Sequence, residues 1–126
     1  VLKSHSSTRL TIAMKNLMGV VWDRGFWHRN DLHQCIADYA TFMKKPTLNI
    51  VDAYRVMMKN GPRGVSEADV SLMKSLLVSA DMVAVDAAAT KLFGMDPDEV
   101  PYIGIADDMG VGTQALDKLN VHRIIL

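Results

Sequence analysis

Three segments place polar side chains where predicted strands end. Lys15 and Asn16 end the first predicted strand, Asp52 lies at the end of the second, and Asp81 follows the third. Open parallel sheets bind ligands beyond the carboxyl ends of their strands, so we expect these side chains to share one cleft. A lysine with carboxylates could then bind a small molecule or act on it. The structural alternative makes Asn16 a turn residue, Asp52 a loop residue and Asp81 only a helix cap.

Asp86 is a separate candidate because it lies in a helix that is apolar on almost every side. A buried carboxylate is costly unless a cation or several hydrogen-bond donors satisfy it. We therefore predict that Asp86 is buried and held by hydrogen bonds or by a basic partner such as Lys15. Its donors could instead be backbone amides of a neighbouring loop, for instance around Gly61 and Pro62. A role as a metal ligand is the third possibility.

The histidines and the glycine-rich loop are weaker signals. His28 and His33 are five residues apart and could form a metal site with Asp52, but this is not an established ligand spacing. Structural or surface roles are favoured for both. Gly61 and Gly64 could present backbone amides to an anion, although a plain turn is the simpler interpretation.

Aromatic residues precede the first predicted helix. Trp22, Phe26 and Trp27 could form a lid over the strand ends or pack against another domain. We expect an exposed apolar strip here that could drive self-association as a homodimer. The single Cys35 cannot form an internal disulfide, and alone it cannot hold a zinc ion or an iron–sulfur cluster.

The pattern of predicted elements indicates the α/β class. Alternation over residues 10–15 and an apolar run over 48–53 predict strands, and alternation over 72–78 and the run at 121–126 predict two more. Helices are predicted from Asn30 or Asp31 to Lys45, where Pro46 stops the helix, from Asp81 to Phe93 and from Pro101 to Met109. We expect a mostly parallel sheet with flanking helices and βαβ units, in one domain over residues 1–126.

Composition excludes several classes of protein. The 126 residues are 49% hydrophobic and 22% charged, as in a folded globular protein. Fourteen basic and fourteen acidic residues give zero net charge, which argues against nucleic-acid binding. No apolar run approaches the length of a membrane span.

Because the chain starts at Val1, we expect an incomplete domain whose missing amino-terminal portion is a partner. Its compartment is unknown, cytoplasmic by default, and an export signal could be lost upstream.

Several motifs together resemble a bacterial and archaeal family catalogued as domain of unknown function 362. They keep the family's order along nearly the whole chain. The matching stretches are K-S-H at 3–5, M-K-N-L-M-G at 14–19, L-N-I-V-D-A at 48–53, N-G-P-R-G at 60–64, L-V-S-A-D-M-V-A-V-D at 77–86 and V-P-Y-I at 100–103. Ala53 replaces the family's usual glycine, and Met82 stands where proline is common.

The resemblance implies that this chain is the carboxyl-terminal part of a longer α/β domain. Many members carry ferredoxin-like cysteine motifs, so an iron–sulfur domain is an expected partner. This segment lacks those cysteines, and we expect no iron–sulfur cluster in it; any other cofactor or metal is unknown. Seven residues of this chain match polar positions that recur in the family, and several of them are also the sheet-edge candidates above. The seven are Lys3, His5, Lys15, Asn16, Asp52, Asp81 and Asp86.

Two functions follow as hypotheses. The first is a small-molecule- or metal-binding half of an enzyme, in which Lys15, Asp52 and His5 are catalytic. Its ligand-binding residues would be Lys3, Asn16, Gly61, Gly64, Asp81 and Asp86. The second is a non-catalytic binding or redox-accessory module that partners an iron–sulfur electron-transfer domain. A polar pocket with a perturbed lysine or aspartate favours the first, and a flat apolar surface around Trp22 favours the second.

Overall fold

The computed structural model describes residues 1–43, 46 and 48–125. Its strands are β1 (Lys3–His5), β2 (Arg9–Thr11), β3 (Asn49–Met57) and β4 (Val70–Ser79). Its α-helices are α1 (Ala13–Asn16), α2 (Arg24–Arg29), α3 (Leu32–Phe42), α4 (Met82–Phe93) and α5 (Pro101–Asp108). Short 3-10 helices occupy Leu17–Val20, Glu67–Asp69, Pro97–Glu99 and Leu116–Lys118. The expected α/β class is confirmed.

The sheet is mixed, so the expected mostly parallel sheet is wrong. Its strand order is β2-β1-β3-β4. Only the β1–β3 pair is parallel, whereas β1–β2 and β3–β4 are antiparallel. The physical reason is the connection after β3, which holds a turn and one short 3-10 helix and therefore forms a hairpin. A parallel return usually crosses over through an α-helix, and residues 58–69 contain none.

Two predicted strands are also corrected. The strand predicted over 10–15 ends at Thr11, and helix α1 begins at Ala13. The side chains of Leu10, Ile12 and Met14 are nevertheless all buried. The alternation therefore predicted the buried side chains correctly and the backbone conformation incorrectly. Residues 121–125 are exposed and form no strand, and Leu126 lies outside the described residues.

The longer helices agree with their local capping signals. The Asp31 carboxylate accepts the amides of His33 and Gln34 at the start of α3. Lys44 and Lys45, the predicted end of this helix, lie outside the residues that the structure describes. Asp81 does the same for α4, which ends at Gly94 in the left-handed conformation, with φ of 91°. Side-chain caps satisfy the free amides of a helix start, and glycine adopts positive φ at low cost. These boundaries were therefore readable from local sequence.

The core lies between the helices and one face of the sheet. Along β3, Val51, Ala53 and Val56 are buried, while Ile50 and Asp52 are exposed. Helix α4 packs on β3 and β4, and α5 packs on α3 and α4. The opposite face of β3 and β4 is left uncovered. None of the helices within the described ranges is long and apolar enough to cross a membrane.

Candidate functional site

The most unusual side chain in the structure is Lys15, which is buried without an anionic partner. Only 8% of it is exposed, and its Nζ lies 3.9 Å from the Sδ of Met18. Two ion pairs occur in the described part of the chain, Arg9–Glu99 and Arg29–Asp23, and neither involves Lys15. Burial, and secondarily the charge of Lys3, lowers the pKa of the Lys15 amine. A buried unpaired ammonium is unfavourable, so this position has a strong tendency to gain an anion or lose a proton.

Lys15 belongs to a group of four basic side chains, the basic cluster, formed by Lys3, His5, Lys15 and His28. Lys3 and His5 are two residues apart on β1, so their side chains lie on the same face of that strand. Burial, followed by the charges of Lys15, His28 and Lys3 in that order, lowers the pKa of His5 to about 4. Because the charges of Lys15, His28 and Lys3 all act on the His5 ring, the four side chains lie in the same region of the molecule.

The hydrogen bond of His5 fixes which ring nitrogen can donate. Its Nδ1 accepts the backbone N–H of Ser7 at 3.2 Å. With a pKa near 4 the ring is neutral at pH 7, and an accepting Nδ1 leaves the proton on Nε2. His5 therefore offers one N–H donor beside two lysine amines, a donor set suited to an oxyanion.

Helix α1 holds Lys15 in place, and Asp86 holds α1. The Asp86 carboxylate on α4 is fully buried and accepts the amides of Ala13 at 2.7 Å and Met14 at 3.1 Å. The prediction of a buried, hydrogen-bonded Asp86 is confirmed. Its donors are the α1 amides, however, and neither the Lys15 amine nor the loop around Gly61 supplies them. Burial raises the pKa of Asp86 to about 7, although these two hydrogen bonds oppose the shift.

The expected single cleft does not form. Asp52 lies on the uncovered face of β3, where its Oδ1 accepts the amide of Tyr54 at 2.9 Å. Strand alternation explains this placement, because the neighbouring residues Val51 and Ala53 point into the core. Asn16 is exposed at the end of α1 and lines a separate cleft of about 260 Å³.

Asp81 has a structural role in this fold. Its Oδ1 accepts the amides of Val83 and Ala84, and its Oδ2 accepts the amide of Thr113 at 2.9 Å. A side chain at Gly112 would overlap the Asp81 carboxyl group, so the chain passes closely here. Asp81 thus caps α4 and tethers the segment after α5. It borders a cleft with Gly110 and Gly112, away from the basic cluster.

The loop with Gly61 and Gly64 lies beside β1. The amide of Gly61 donates to the Ser4 Oγ at 3.0 Å, and a Cβ at Gly61 would overlap the Ser4 carbonyl. Gly64 needs its positive φ of 74° to close the turn. The loop is anchored by Asp69, whose carboxylate accepts the amides of Val65 and Ser66. These bonds lower the pKa of Asp69.

The sequence did not single out His28 as a member of the cluster. Its only signal was the spacing to His33, which instead stacks on Tyr102 with ring centroids 6.0 Å apart. Across the described part of the chain, no group of three or more His, Cys, Asp or Glu side chains could hold a metal ion. The proposed His28–His33–Asp52 metal site is therefore absent from this arrangement.

Comparison with known protein families shows to which family the chain belongs. The model of the family described as Domain of unknown function (DUF362) matches residues 1–91, which is more than half of the chain. The chain belongs to this family. All four residues of the basic cluster, Asp86 and the loop at 60–64 fall inside the matched range.

One curated relative is similar to the chain over most of its length. It is the thylakoid-associated protein sll1697 of Synechocystis sp., which is 27% identical over 124 residues. The match covers 92% of this chain and 37% of the relative, so the chain spans well under half of that protein. No solved structure matches the chain.

Proposed function

We propose that this DUF362 segment binds the anionic group, a carboxylate or phosphate, of a small molecule at the basic cluster. The observation that carries the proposal is the Lys15 amine, which is 8% exposed beside Lys3 and His5 and belongs to neither ion pair of the described residues. An oxyanion held by two ammonium groups and the His5 N–H would remove the electrostatic penalty on all three.

The finer proposal is that the segment is one half of an enzyme and that Lys15 acts on the bound molecule. A lysine with a lowered pKa has a larger neutral fraction at pH 7, and a neutral amine can serve as a nucleophile or a general base. His5 would donate from Nε2 to the substrate oxygen. Asp52 leaves this mechanism because it is exposed on β3, where its carboxylate accepts the Tyr54 amide, and its charge is not among those that act on Lys15 or His5.

A specific thermodynamic consequence distinguishes this site from a general basic surface. Like charges and burial lower the pKa values of Lys15 and His5, and a bound anion raises both again. Binding an anion should therefore be accompanied by proton uptake. Calorimetric titration with inorganic phosphate, in two buffers of different ionisation enthalpy, measures both affinity and proton uptake.

The decisive variant is Lys15→Met, which keeps the length of the side chain and removes its charge. We expect at least a tenfold loss of phosphate affinity and a smaller proton uptake. Thermal stability should equal or exceed that of the wild type, because an unpaired buried charge is gone. Lys118→Met, at an exposed lysine, is the matched control and should leave affinity unchanged. Equal phosphate affinity in Lys15→Met and wild type would overturn the proposal.

A second candidate function is docking of an iron–sulfur electron-transfer domain. It is favoured by Trp22, which is fully exposed, and by Phe26, which is 53% exposed. Trp27, expected in the same strip, is instead buried against Tyr39. A ferredoxin with two four-iron clusters, added as the probe, should quench Trp22 fluorescence in the wild type. Unchanged emission at high ferredoxin concentration would exclude this function.

A further inference from the structure

The uncovered face of the sheet carries a row of large apolar side chains. This open face is formed by Ile50 and Tyr54 of β3 and by Leu72, Leu76 and Val78 of β4. Each of the five is between 53% and 65% exposed. The register places Ile50 opposite Val78 and Asp52 opposite Leu76, so the apolar side chains are contiguous across the two strands. Contiguous apolar surface of this kind marks an interaction site.

We propose that the open face is the interface between two copies of this chain, packed sheet against sheet. Large side chains offer about 150–250 Å² each when free, so exposures above half correspond to roughly 500 Å² of apolar area on the face. A standard interface buries about 800 Å² per partner, and about 65% of a homodimer interface is apolar. The open face therefore supplies about the apolar area that one side of a stable dimer needs.

The charges on this face suit a second copy of the same surface. Asp52 is exposed beside Leu76, while Arg55 and Lys74 are exposed further along the same two strands. A two-fold interface brings one patch against itself with reversed direction. Asp52 of one copy can then face a basic side chain of the other, which offsets the charge that Asp52 places within the apolar row between Ile50 and Tyr54.

Edge-to-edge pairing through β4 is the competing geometry, and the structure disfavours it. β4 lies at the edge of the sheet, but its register with β3 is interrupted between Ala53 and Arg55. Lys74 sits at this irregularity with a positive φ of 49°. A bulge and a lysine are two devices that block strand addition at an edge. The dimer should therefore form through faces, at the usual sheet separation of about 10 Å.

Sedimentation velocity of the chain from 5 to 200 µM tests the proposal. We expect a dimer at the upper end of this range, and at least a tenfold weaker association in both Leu76→Lys and Val78→Lys. These side chains are exposed, and an unchanged circular dichroism spectrum establishes that each variant folds. Val65→Lys is the matched control, because Val65 is 84% exposed on the loop between β3 and β4. It should dimerise like the wild type.

The other outcomes contradict the proposal. A monomeric wild type at 200 µM would overturn it, and so would a dimer that survives both lysine substitutions. Amide hydrogen exchange separates the two geometries, because face-to-face packing leaves the outward amides of β4 open to solvent. Dimer-dependent protection along that edge would replace the face-to-face interface with strand addition.

Discussion

Replacing Asp86 by asparagine should change how the stability of the fold depends on pH. The carboxylate is fully buried, and its pKa rises from an ordinary 3.8 to about 7 in the folded chain. The folded state therefore holds this proton more tightly than the unfolded state does. Its contribution to stability is full below about pH 4, falls as the pH rises towards 7, and changes little above that.

The size of the effect follows from the same two pKa values. Each pH unit inside the window from about 4 to 7 removes about 1.4 kcal/mol of unfolding free energy. Between pH 5 and pH 7 the wild type should therefore lose about 2–3 kcal/mol. This is a large fraction of the roughly 5–15 kcal/mol by which a domain is stable.

Asp86→Asn removes the titration and one hydrogen bond. Its carbonyl oxygen can accept only one of the two α1 amides, of Ala13 or Met14, and its NH₂ group faces the other. A buried donor without a partner costs about 1–3 kcal/mol, so the variant should be less stable than wild type at pH 5. Near pH 7.5 the difference should shrink or reverse. Asp86→Ala leaves both amides unpaired and should be the least stable form at pH 5.

Urea denaturation at pH 5, 6, 7 and 8, followed by the fluorescence of buried Trp27, measures these differences. Asp108→Asn provides the control, because Asp108 is an exposed acid at the end of α5. Its pH dependence should follow that of the wild type. If wild type and Asp86→Asn give parallel curves from pH 5 to pH 8, the carboxyl group is ionised throughout and the reasoning is refuted.

Three further substitutions test the structural roles of predicted site residues. Asp81→Ala should cost about 1–2 kcal/mol through loss of the α4 cap and should also loosen the segment at Thr113, which urea midpoints and amide exchange would show. Gly61→Ala should lower the melting temperature by several degrees, because the added Cβ overlaps Ser4 and a loss of about 1 kcal/mol corresponds to roughly 2–8 °C. An unchanged melting temperature would contradict that contact. Asp69→Asn should destabilise the fold more at pH 7 than at pH 3. A lowered carboxyl pKa stabilises the fold fully above the unfolded value of 3.8, and this contribution is lost as the pH falls through the folded value; equal losses at both pH values would rule this out.

Local signals predicted the three longer helices, α3, α4 and α5, but neither α1 nor α2. Asp31 and Asp81 accept amides within three residues of themselves, and Gly94 terminates α4 by its own backbone conformation. These interactions are contained in a few consecutive residues, so the sequence reveals them. The alternation over 10–15 was misleading because α1 depends on Asp86, more than seventy positions away.

The sheet and the site depended on pairing that no local pattern encodes. β1 has only three residues, too few for a period-two pattern, yet it carries Lys3 and His5. The position of Asp52 illustrates the same limit. Alternation predicts that it points away from Val51, but which face of β3 the helices cover is decided by tertiary packing. His28 joins the cluster only because α2 lies near β1.

The two buried ionisable groups around α1 are the main support for the proposed anion site. Lys15 has no anionic partner and Asp86 has no cationic partner, yet the two side chains do not pair with each other. Pairing them would satisfy both charges, and apolar residues would avoid both penalties. The structure instead uses the carboxyl group to fix the α1 backbone and leaves the amine free beside Lys3 and His5. Local departures from the most stable arrangement are expected where a fold is adapted for binding. An anion at the basic cluster, as proposed above, would make this arrangement favourable.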